Sequence, residues 1–234
     1  MRILRRESLR EHTSLRVGGR CRFLAQPRSV ADLSRLLMWR ERRGLPFFTL
    51  GGGTNTLFHD HEFDGVVIAF AGLTGTRVLD GHRLSVLPGT PLKRVVKQTL
   101  QLGWQGLESF VGIPGTLGGA VYGNAGGSSG GIGALVHRLR LMDPDGCEEW
   151  CPGARLPWRY RSSGIGNRVI AEVILKLAPG NRARVMHTAR EVMAHKVQTQ
   201  PLSLSSAGCV YRNQEGRSAG HLIEAAGLKG ARIG

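Results

Sequence analysis

A glycine-rich run at residues 112–126 carries the clearest chemical signal in the sequence. It reads Gly-Ile-Pro-Gly-Thr-Leu-Gly-Gly-Ala-Val-Tyr-Gly-Asn-Ala-Gly. Glycine tolerates positive φ and lets the backbone come close to a ligand, so that several N–H groups can point at one anion. The run therefore predicts a loop that binds a diphosphate.

A second run, Leu-Gly-Gly-Gly-Thr-Asn-Thr-Leu at residues 50–57, follows the apolar stretch 45–49. Glycine pairs also end ordinary strands at tight turns, and that alternative stays open for either run alone. Two such runs in one chain favour a ligand. Neither has the GxGxxG spacing of a dinucleotide turn or the Gly-Lys-Ser/Thr ending of a P-loop, so we expect a phosphate-binding arrangement of another kind.

Helices and strands must position these two runs. Apolar residues at helical spacing, an N-cap candidate at Ser29 and a stop at Gly44 predict a helix over 29–43. A similar pattern that ends at Gly103 predicts a helix over 91–102. Strands are expected at 47–48, 65–70, 82–87, 135–142 and 168–177, with a turn at 143–146. The pattern as a whole predicts an α+β fold.

The C-terminal part of the sequence begins after a Pro-Gly pair at 179–180. It contains a helix-like segment at 182–196, a strand-like segment at 208–212 and a second helix-like segment at 219–226. We therefore expect three parts. These are an α+β lobe over 1–75, a second α+β lobe over 76–180, and a linker helix with an incomplete third domain over 181–234.

The composition indicates a globular protein with anionic partners. The chain has 234 residues, 41% of them hydrophobic, and a formal net charge of +15. Nucleic acid is one candidate partner, but the basic residues are scattered through periodic segments and do not form a tail or alternate with aromatic residues. Phosphorylated small molecules account for the charge equally well, and an arginine-rich surface can also reflect codon bias. We expect no nucleic-acid partner.

The four cysteines, Cys21, Cys147, Cys151 and Cys209, lack the spacing of a zinc site, so no metal is expected. No apolar run is long enough to span a bilayer, and the N-terminal residues do not resemble a signal peptide. The sequence thus predicts a cytoplasmic protein with reduced thiols and no membrane partner.

Laid in order, these segments resemble the UDP-N-acetylenolpyruvoylglucosamine reductase family, flavoenzymes of peptidoglycan precursor synthesis. The resemblance runs nearly end to end. It rests on the segments at 12–19, 50–55, 106–126, 160–163, 200–202, 206–213, 219–224 and 226–230.

The resemblance implies the FAD-binding fold of the vanillyl-alcohol-oxidase and p-cresol-methylhydroxylase type. In that fold FAD lies between two α+β subdomains, here 1–75 and 76–180, and a C-terminal domain covers the substrate. The family binds FAD noncovalently, with the two glycine segments around its diphosphate and flavin edge. The implied cofactor-binding residues are Leu50, Gly51, Gly52, Gly53, Thr54, Asn55, Gly112, Ile113, Pro114, Gly115, Thr116, Gly118, Gly119, Ala120, Asn124, Ala125 and Gly126.

The family's reaction uses NADPH as the hydride donor. The hydride passes through FAD to C3 of the enolpyruvyl ether, which leaves negative charge on an enolate and requires a proton at C2. By its place in the Tyr-Arg-x-Ser motif, Arg161 matches the family's catalytic arginine, whose guanidinium stays charged and grips a carboxylate bidentately. An isolated arginine is usually a solvated surface charge. Arg159, expected on the same strand face, is the alternative choice.

Cys209 stands where many family members have the serine that protonates C2. A thiol, whose pKa is about 8.5, is a stronger acid than a serine hydroxyl, so proton donation is chemically sensible. The alternative is that Cys209 is a small buried strand residue. Tyr160, Arg212 and Asn213 match substrate-binding positions, whereas Glu224 reads as structural.

One departure from the family is important. The family's third catalytic residue is a glutamate near the C-terminus, and this sequence has no counterpart, so it resembles a C-terminally truncated member. Either it is a fragment or something else completes the site. Two alternatives therefore stay open, an FAD-binding member without full reductase activity and a basic nucleic-acid binder. We expect the protein to be a monomer that acts on a UDP-sugar.

Overall fold

In the described residues, two larger β-sheets, one of four strands and one of five, share part of their cores. The computed structural model describes residues 1–127, 130–200, 210–213 and 216–233. The first four strands are β1 (Arg2–Ser8), β2 (Arg20–Gln26), β3 (Phe47–Leu50) and β4 (Phe63–Ala69). The others are β5 (Thr76–Leu79), β6 (Arg83–Val86), β7 (Trp104–Gln105), β8 (Gly126–Gly127), β9 (Gly130–Gly131), β10 (Val136–Met142), β11 (Glu148–Pro152), β12 (Val169–Lys176) and β13 (Ala178–Pro179). The helices are α1 (Val30–Glu41), α2 (Leu92–Gln101), α3 (Leu117–Tyr122), α4 (Arg182–Thr199) and α5 (Ala219–Ala225).

The first sheet has the strand order β1-β2-β4-β3. The strands β1 and β2 are antiparallel, whereas β4 runs parallel to both of its neighbours. Helix α1 covers one face because its apolar residues recur at helical spacing, and Leu33, Leu36 and Leu37 are fully buried there. The predicted cap and stop are confirmed. Ser29 accepts a hydrogen bond from the N–H of Asp32, and Gly44 has φ +60°.

The second sheet is antiparallel throughout and has the order β11-β10-β12-β6-β5. Helix α2 packs on it through Leu92, Val95 and Val96, and α4 adds Val185 and Ala189 to the same core. The strands predicted at 65–70, 82–87, 135–142 and 168–177 are confirmed, with ends that differ by one or two residues. The antiparallel pattern agrees with the predicted α+β class.

The two sheets are joined where α1 meets the turn between β10 and β11. The predicted turn is present, because the N–H of Gly146 donates to the carbonyl of Asp143. The guanidinium of Arg40, nearly buried, donates to the carbonyls of Pro144 and Leu45. Met142 of β10 extends the core beneath α1, so the helix and both sheets form one packed unit.

Several sequence-based expectations were wrong or incomplete. The strands β1, β2, β5 and β11 and the two-residue strands β7, β8, β9 and β13 were not predicted, and the glycine-rich run contains the short helix α3. Of the strand-like segment 208–212, residues 210–212 are described and belong to no strand, and the rest lies outside the described residues. Helix α5 is present as expected, and none of its residues is buried.

Candidate cofactor and active site

The two glycine-rich runs, far apart in sequence, lie directly against each other. A Cβ on Gly51 would stand 2.6 Å from the hydroxyl oxygen of Thr116, and one on Gly52 would stand 3.0 Å from the Cα of Gly115. Gly115 has φ +99°, and a Cβ there would meet the Thr54 hydroxyl at 2.8 Å. Backbone can approach this closely only where side chains are absent, so the glycines are required by the contact between the runs.

Unused backbone donors gather at this contact. Within the described residues, the N–H groups of Gly52, Gly53, Thr54, Gly115 and Thr116 have no hydrogen-bond acceptor. Gly53 and Thr116 are buried, and N–H groups of buried residues are almost always paired, so the donors beside this narrow contact fit an external oxyanion such as a diphosphate.

The N-terminus of α3, in contrast, is occupied by the protein itself. The N–H of Leu117 donates to the carbonyl of Thr90, and that of Gly118 donates to the carbonyl of Pro88, both at 2.9 Å. The hydroxyl of Thr116 accepts from the N–H of Gly119 at 3.3 Å. The helix end is thus capped internally, and the donors available to an anion are those of the two loops.

Residues 12–14 complete the first loop, although no site role was predicted for them. The N–H of Ser14 donates to the carbonyl of Gly53 at 3.0 Å, and a Cβ on Gly53 would stand 2.1 Å from the carbonyl oxygen of His12. The available signal was the His-Thr-Ser motif at this position. Gly53, with φ +63°, can therefore be replaced by no other residue without moving this segment.

The other predicted cofactor residues fall into two groups. Leu50, Ala120 and Ile113 pack against the cores, and Leu50 is 1% exposed, so its side chain supports the loop from below. Asn55, Gly112, Pro114 and Ala125 lie in the loops themselves. Gly126 pairs with Gly131 in the β8–β9 ladder, which begins where the second run ends.

The start of the second run is held by a lysine that was not among the predicted site residues. The ammonium of Lys196, near the end of α4, donates to the carbonyls of Ser109 and Val111 at 3.1 and 2.6 Å. Burial lowers the pKa of Lys196 below its usual range. A Cβ on Gly112 would stand 3.4 Å from the Lys196 side chain. The lysine therefore clamps the backbone that leads into the run.

Arg161 lies in a tight turn, which corrects the expectation that Arg159 and Arg161 share a strand face. The N–H of Arg159 donates to the carbonyl of Ser162 at 2.9 Å, and the reverse bond is 3.1 Å long. Arg161 has φ +60°. Because a turn separates the two side chains, they do not share a direction as alternate residues of a strand would.

The turn brings Arg161 to the end of the second glycine run. Its guanidinium lies 3.5 Å from the carbonyl oxygen of Gly126 and 5.2 Å from the centre of the Tyr160 ring. Tyr160 is itself half exposed. A half-buried cation thus stands beside the loops that carry the unused N–H donors, which suits binding of a carboxylate.

The remaining predicted residues are less completely described. Arg212 and Asn213 are exposed, and the side chain of Asn213 accepts from the N–H of Ala219 at the start of α5. Among the described contacts, neither residue reaches Arg161. Cys209 lies outside the described residues.

The described cysteines show no sign of a reactive or metal-binding site. Cys21, Cys147 and Cys151 are free thiols. Burial, with the nearby carboxylate of Glu7, raises the pKa of Cys21 to about 11, so this thiol stays protonated. In the part of the chain that the structure describes, no three His, Cys, Asp or Glu side chains converge on a metal site. Over the same ranges no helix has the length and hydropathy needed to cross a bilayer.

Comparison with known proteins identifies both parts of the chain. Residues 21–152 match the family model described as an FAD binding domain, and residues 200–234 match the C-terminal domain of UDP-N-acetylenolpyruvoylglucosamine reductase. The chain is 36% identical to UDP-N-acetylenolpyruvoylglucosamine reductase 2 of Symbiobacterium thermophilum, over 100% of this chain and 76% of that protein. It is 38% identical to the reductase of Nostoc punctiforme, over 95% of this chain and 68% of that protein.

Solved structures agree with this assignment. The chain superimposes on the crystal structure of UDP-N-acetylenolpyruvylglucosamine reductase from Thermus caldophilus with a TM-score of 0.87 and 33% identity, over 100% of this chain and 83% of that one. The 6-hydroxy-D-nicotine oxidase of Arthrobacter nicotinovorans matches with a TM-score of 0.60 at 18% identity, over 76% of this chain and 42% of that one, which shows a shared fold. The predicted FAD-binding fold of the vanillyl-alcohol-oxidase type is confirmed, and the chain belongs to the UDP-N-acetylenolpyruvoylglucosamine reductase family.

Proposed function

We propose that this protein reduces UDP-N-acetylenolpyruvoylglucosamine to UDP-N-acetylmuramate in peptidoglycan precursor synthesis, with noncovalent FAD as cofactor and NADPH as hydride donor. The names of its relatives in Symbiobacterium and Nostoc support the substrate. The match to an FAD binding domain supports the cofactor. We further propose that the protein acts in the cytoplasm as a monomer, without nucleic acid or membrane; the proposed UDP-sugar substrate and NADPH support that compartment.

The observation that carries this proposal is the position of a half-buried arginine beside the joined glycine loops. The free N–H groups of residues 52–54 and 115–116 would hold the FAD diphosphate. Bound FAD supplies hydride transfer between the nicotinamide and the enolpyruvyl double bond. Arg161, at the end of the second loop, then has the charge and the location to act on the group that accepts the hydride.

Arg161 would stabilise the charge that hydride addition creates. When the hydride adds to C3 of the enolpyruvyl group, the π electrons move toward C2 and the carboxylate and form an enolate. A guanidinium that grips the carboxylate through two N–H groups lowers the energy of this state more than that of the substrate, because the negative charge is greater. Its pairing with the Tyr160 ring limits the conformations of the guanidinium.

The enolate must then take a proton at C2 to give the lactyl ether. Cys209 is the proposed donor, and its thiol must be protonated to act. Tyr160, Arg212 and Asn213 are proposed to bind the substrate, with Arg212 supplying positive charge for the carboxylate or the diphosphate of the UDP-sugar. One NADPH and one proton are consumed for each sugar reduced.

An anaerobic flavin titration tests this function. The purified chain is loaded with FAD, reduced with NADPH and mixed with UDP-N-acetylenolpyruvoylglucosamine, while the flavin absorbance is followed. We expect NADPH to bleach the flavin and the sugar to restore its colour with formation of UDP-N-acetylmuramate. UDP-N-acetylglucosamine, which lacks the enolpyruvyl group, is the matched control and should leave the flavin reduced. Flavin that stays reduced with the enolpyruvyl sugar would contradict the proposal.

A further inference from the structure

Asn124, at the end of α3, uses both ends of its side chain to join three segments of backbone. Its Nδ2 donates to the carbonyl of Arg159 at 2.9 Å, and its Oδ1 accepts from the N–H of Gly133 at 3.0 Å. The residue has φ +42°, a conformation that asparagine tolerates better than most side chains. Because both polar groups bond to backbone, the carboxamide is engaged by the protein itself.

The bond to Arg159 closes on the turn that contains Arg161. This turn is held internally by the two hydrogen bonds between Arg159 and Ser162. It is tied to α3 by the N–H of Ser163, which donates to the carbonyl of Tyr122 at 3.1 Å. The carboxamide of Asn124 supplies the link at the opposite end of the turn, so the turn is fixed to the glycine run on both sides.

The space around Asn124 is closely matched to its side chain. A Cβ on Gly131 would stand 2.2 Å from the Oδ1 of Asn124, so residue 131 in the facing strand β9 must be glycine for the carboxamide to lie there. Aspartate has the same shape and would still accept from Gly133, but it would turn a carboxylate oxygen toward the carbonyl of Arg159. The site therefore requires a donor and an acceptor on one short side chain.

We propose that Asn124 is a positioning residue that fixes the Arg159–Ser162 turn, and through it the guanidinium of Arg161, against the substrate carboxylate. This inference rests on the catalytic role proposed for Arg161. The turn holds Arg161 at φ +60°, which a non-glycine residue keeps only when its surroundings impose it. Misplacement of a reacting group by about 1 Å can slow an enzyme about 100-fold, so a lost anchor here has a measurable consequence.

The test compares Asn124→Gly and Asn124→Asp with Asn181→Asp. Glycine keeps the positive φ and removes the carboxamide, and aspartate removes only the donor. Asn181 caps α4 by accepting from the N–H of Arg184, a role that aspartate fills equally well. Asn181→Asp thus adds the same charge away from the site and should leave every readout unchanged.

Four quantities are measured for each variant. These are the affinity for FAD, the rate of flavin reduction by NADPH, the rate of reoxidation by the enolpyruvyl sugar, and the NMR signal of the Arg161 Nε–Hε group, identified by its loss in Arg161→Ala. We expect both Asn124 variants to slow reoxidation about 10- to 100-fold. With FAD saturating, flavin reduction should change by no more than about twofold. Because Asn124 is also a predicted cofactor-binding residue, the affinity for FAD is measured first and sets that saturating concentration. The Arg161 signal should shift or broaden in both.

A double-mutant cycle separates positioning from a general structural effect. If Asn124 acts through Arg161, Asn124→Gly should change the reoxidation rate less than about twofold in an Arg161→Ala background. The proposal would be overturned if the two substitutions reduced the reoxidation rate independently, so that their effects multiplied in the double variant. An unchanged Arg161 signal in Asn124→Gly would also overturn it. If Arg161→Ala itself reoxidises at the normal rate, the role proposed for Arg161 fails first. If the unmodified chain does not reoxidise at all, the proposed function fails and the NMR signal still decides the anchoring.

Discussion

Gly51 and Thr116 lie so close that a Cβ on Gly51 would stand 2.6 Å from the hydroxyl oxygen of Thr116. The same hydroxyl caps α3 by accepting from the N–H of Gly119. The two glycine-rich runs and the helix that follows the second one are therefore coupled through a single oxygen atom. A change at residue 51 must disturb the cap of a helix some sixty residues later in the chain.

This relationship predicts that Gly51→Ala weakens FAD binding. The added methyl group must displace Thr116, which is buried, and overpacking of this kind costs about 1–3 kcal/mol. We expect FAD affinity, measured by quenching of flavin fluorescence, to fall about tenfold or more. Gly220→Ala is the matched control, because a Cβ at Gly220 has nothing within 4 Å. Equal affinity in the two variants would show that the contact between the runs does not matter for the cofactor.

The sequence predicted the elements whose pattern is strong and local. Helix α2 has apolar residues on one face and a glycine stop, and its bounds differ from the prediction by one residue at each end. The strand β1, Arg-Ile-Leu-Arg-Arg-Glu-Ser, is mostly polar and lies at the sheet edge, so no buried face marks it. Helix α3 contains two glycines and forms because Thr116 caps it while Leu117 and Val121 enter the core.

The candidate site divides in the same way. The two glycine-rich runs predicted the two loops correctly, because a loop whose backbone must approach another segment closely requires glycine, and glycine is visible in the sequence. Nothing local marked the turn at Arg161, since its positive φ falls on arginine and its anchors come from Asn124 and Tyr122. Lys196 was missed for a similar reason, because its acceptors are carbonyls 85 and 87 residues earlier in the chain. Such long-range bonds to backbone leave no pattern of residue types.

Lys196→Met is expected to loosen the start of the second glycine run. Methionine keeps much of the apolar stem but removes the ammonium that donates to Ser109 and Val111, which leaves two carbonyls without this donor. FAD affinity should fall about tenfold, and Lys196→Arg should restore part of it. The exposed Lys176 provides the control variant, Lys176→Met, which should bind FAD normally. Loss of affinity in both variants would point to net charge and not to the clamp.

The lowered pKa of Lys196 also predicts a pH dependence of stability. In the window between its folded pKa and its ordinary value of about 10.4, the unfolded chain holds the proton and the folded chain does not. The free energy of unfolding contributed by this group therefore rises with pH in that alkaline window. Urea unfolding of the natural chain and of Lys196→Met, from pH 8 to about 10.4, should show this slope in their difference. A difference that is flat or falls with pH would contradict the desolvation of Lys196.

Arg161→Ala should leave FAD bound and reducible but slow reoxidation by the sugar about 100- to 1,000-fold, because the enolate loses its cation. Stopped-flow absorbance separates the two half-reactions. Arg159→Ala is the informative comparison, because it removes an equal charge from the same turn while its carbonyl remains available to Asn124. If Arg159→Ala slowed reoxidation more than Arg161→Ala, Arg159 and not Arg161 would be the arginine that stabilises the enolate.

The proton donor can be tested by the order of activities among variants of Cys209. Cys209→Ser should reoxidise the reduced flavin with sugar at a similar rate, because a hydroxyl can also deliver a proton, whereas Cys209→Ala should lose about 100-fold or more. The exposed Cys147 serves as control for loss of a thiol, and Cys147→Ala should be fully active. Solvent deuterium should slow the natural chain and Cys209→Ser, since both transfer a proton from that side chain. If the Ser and Ala variants lose activity equally, packing and not proton donation explains why activity requires Cys209. If neither loses activity, C2 takes its proton from another group.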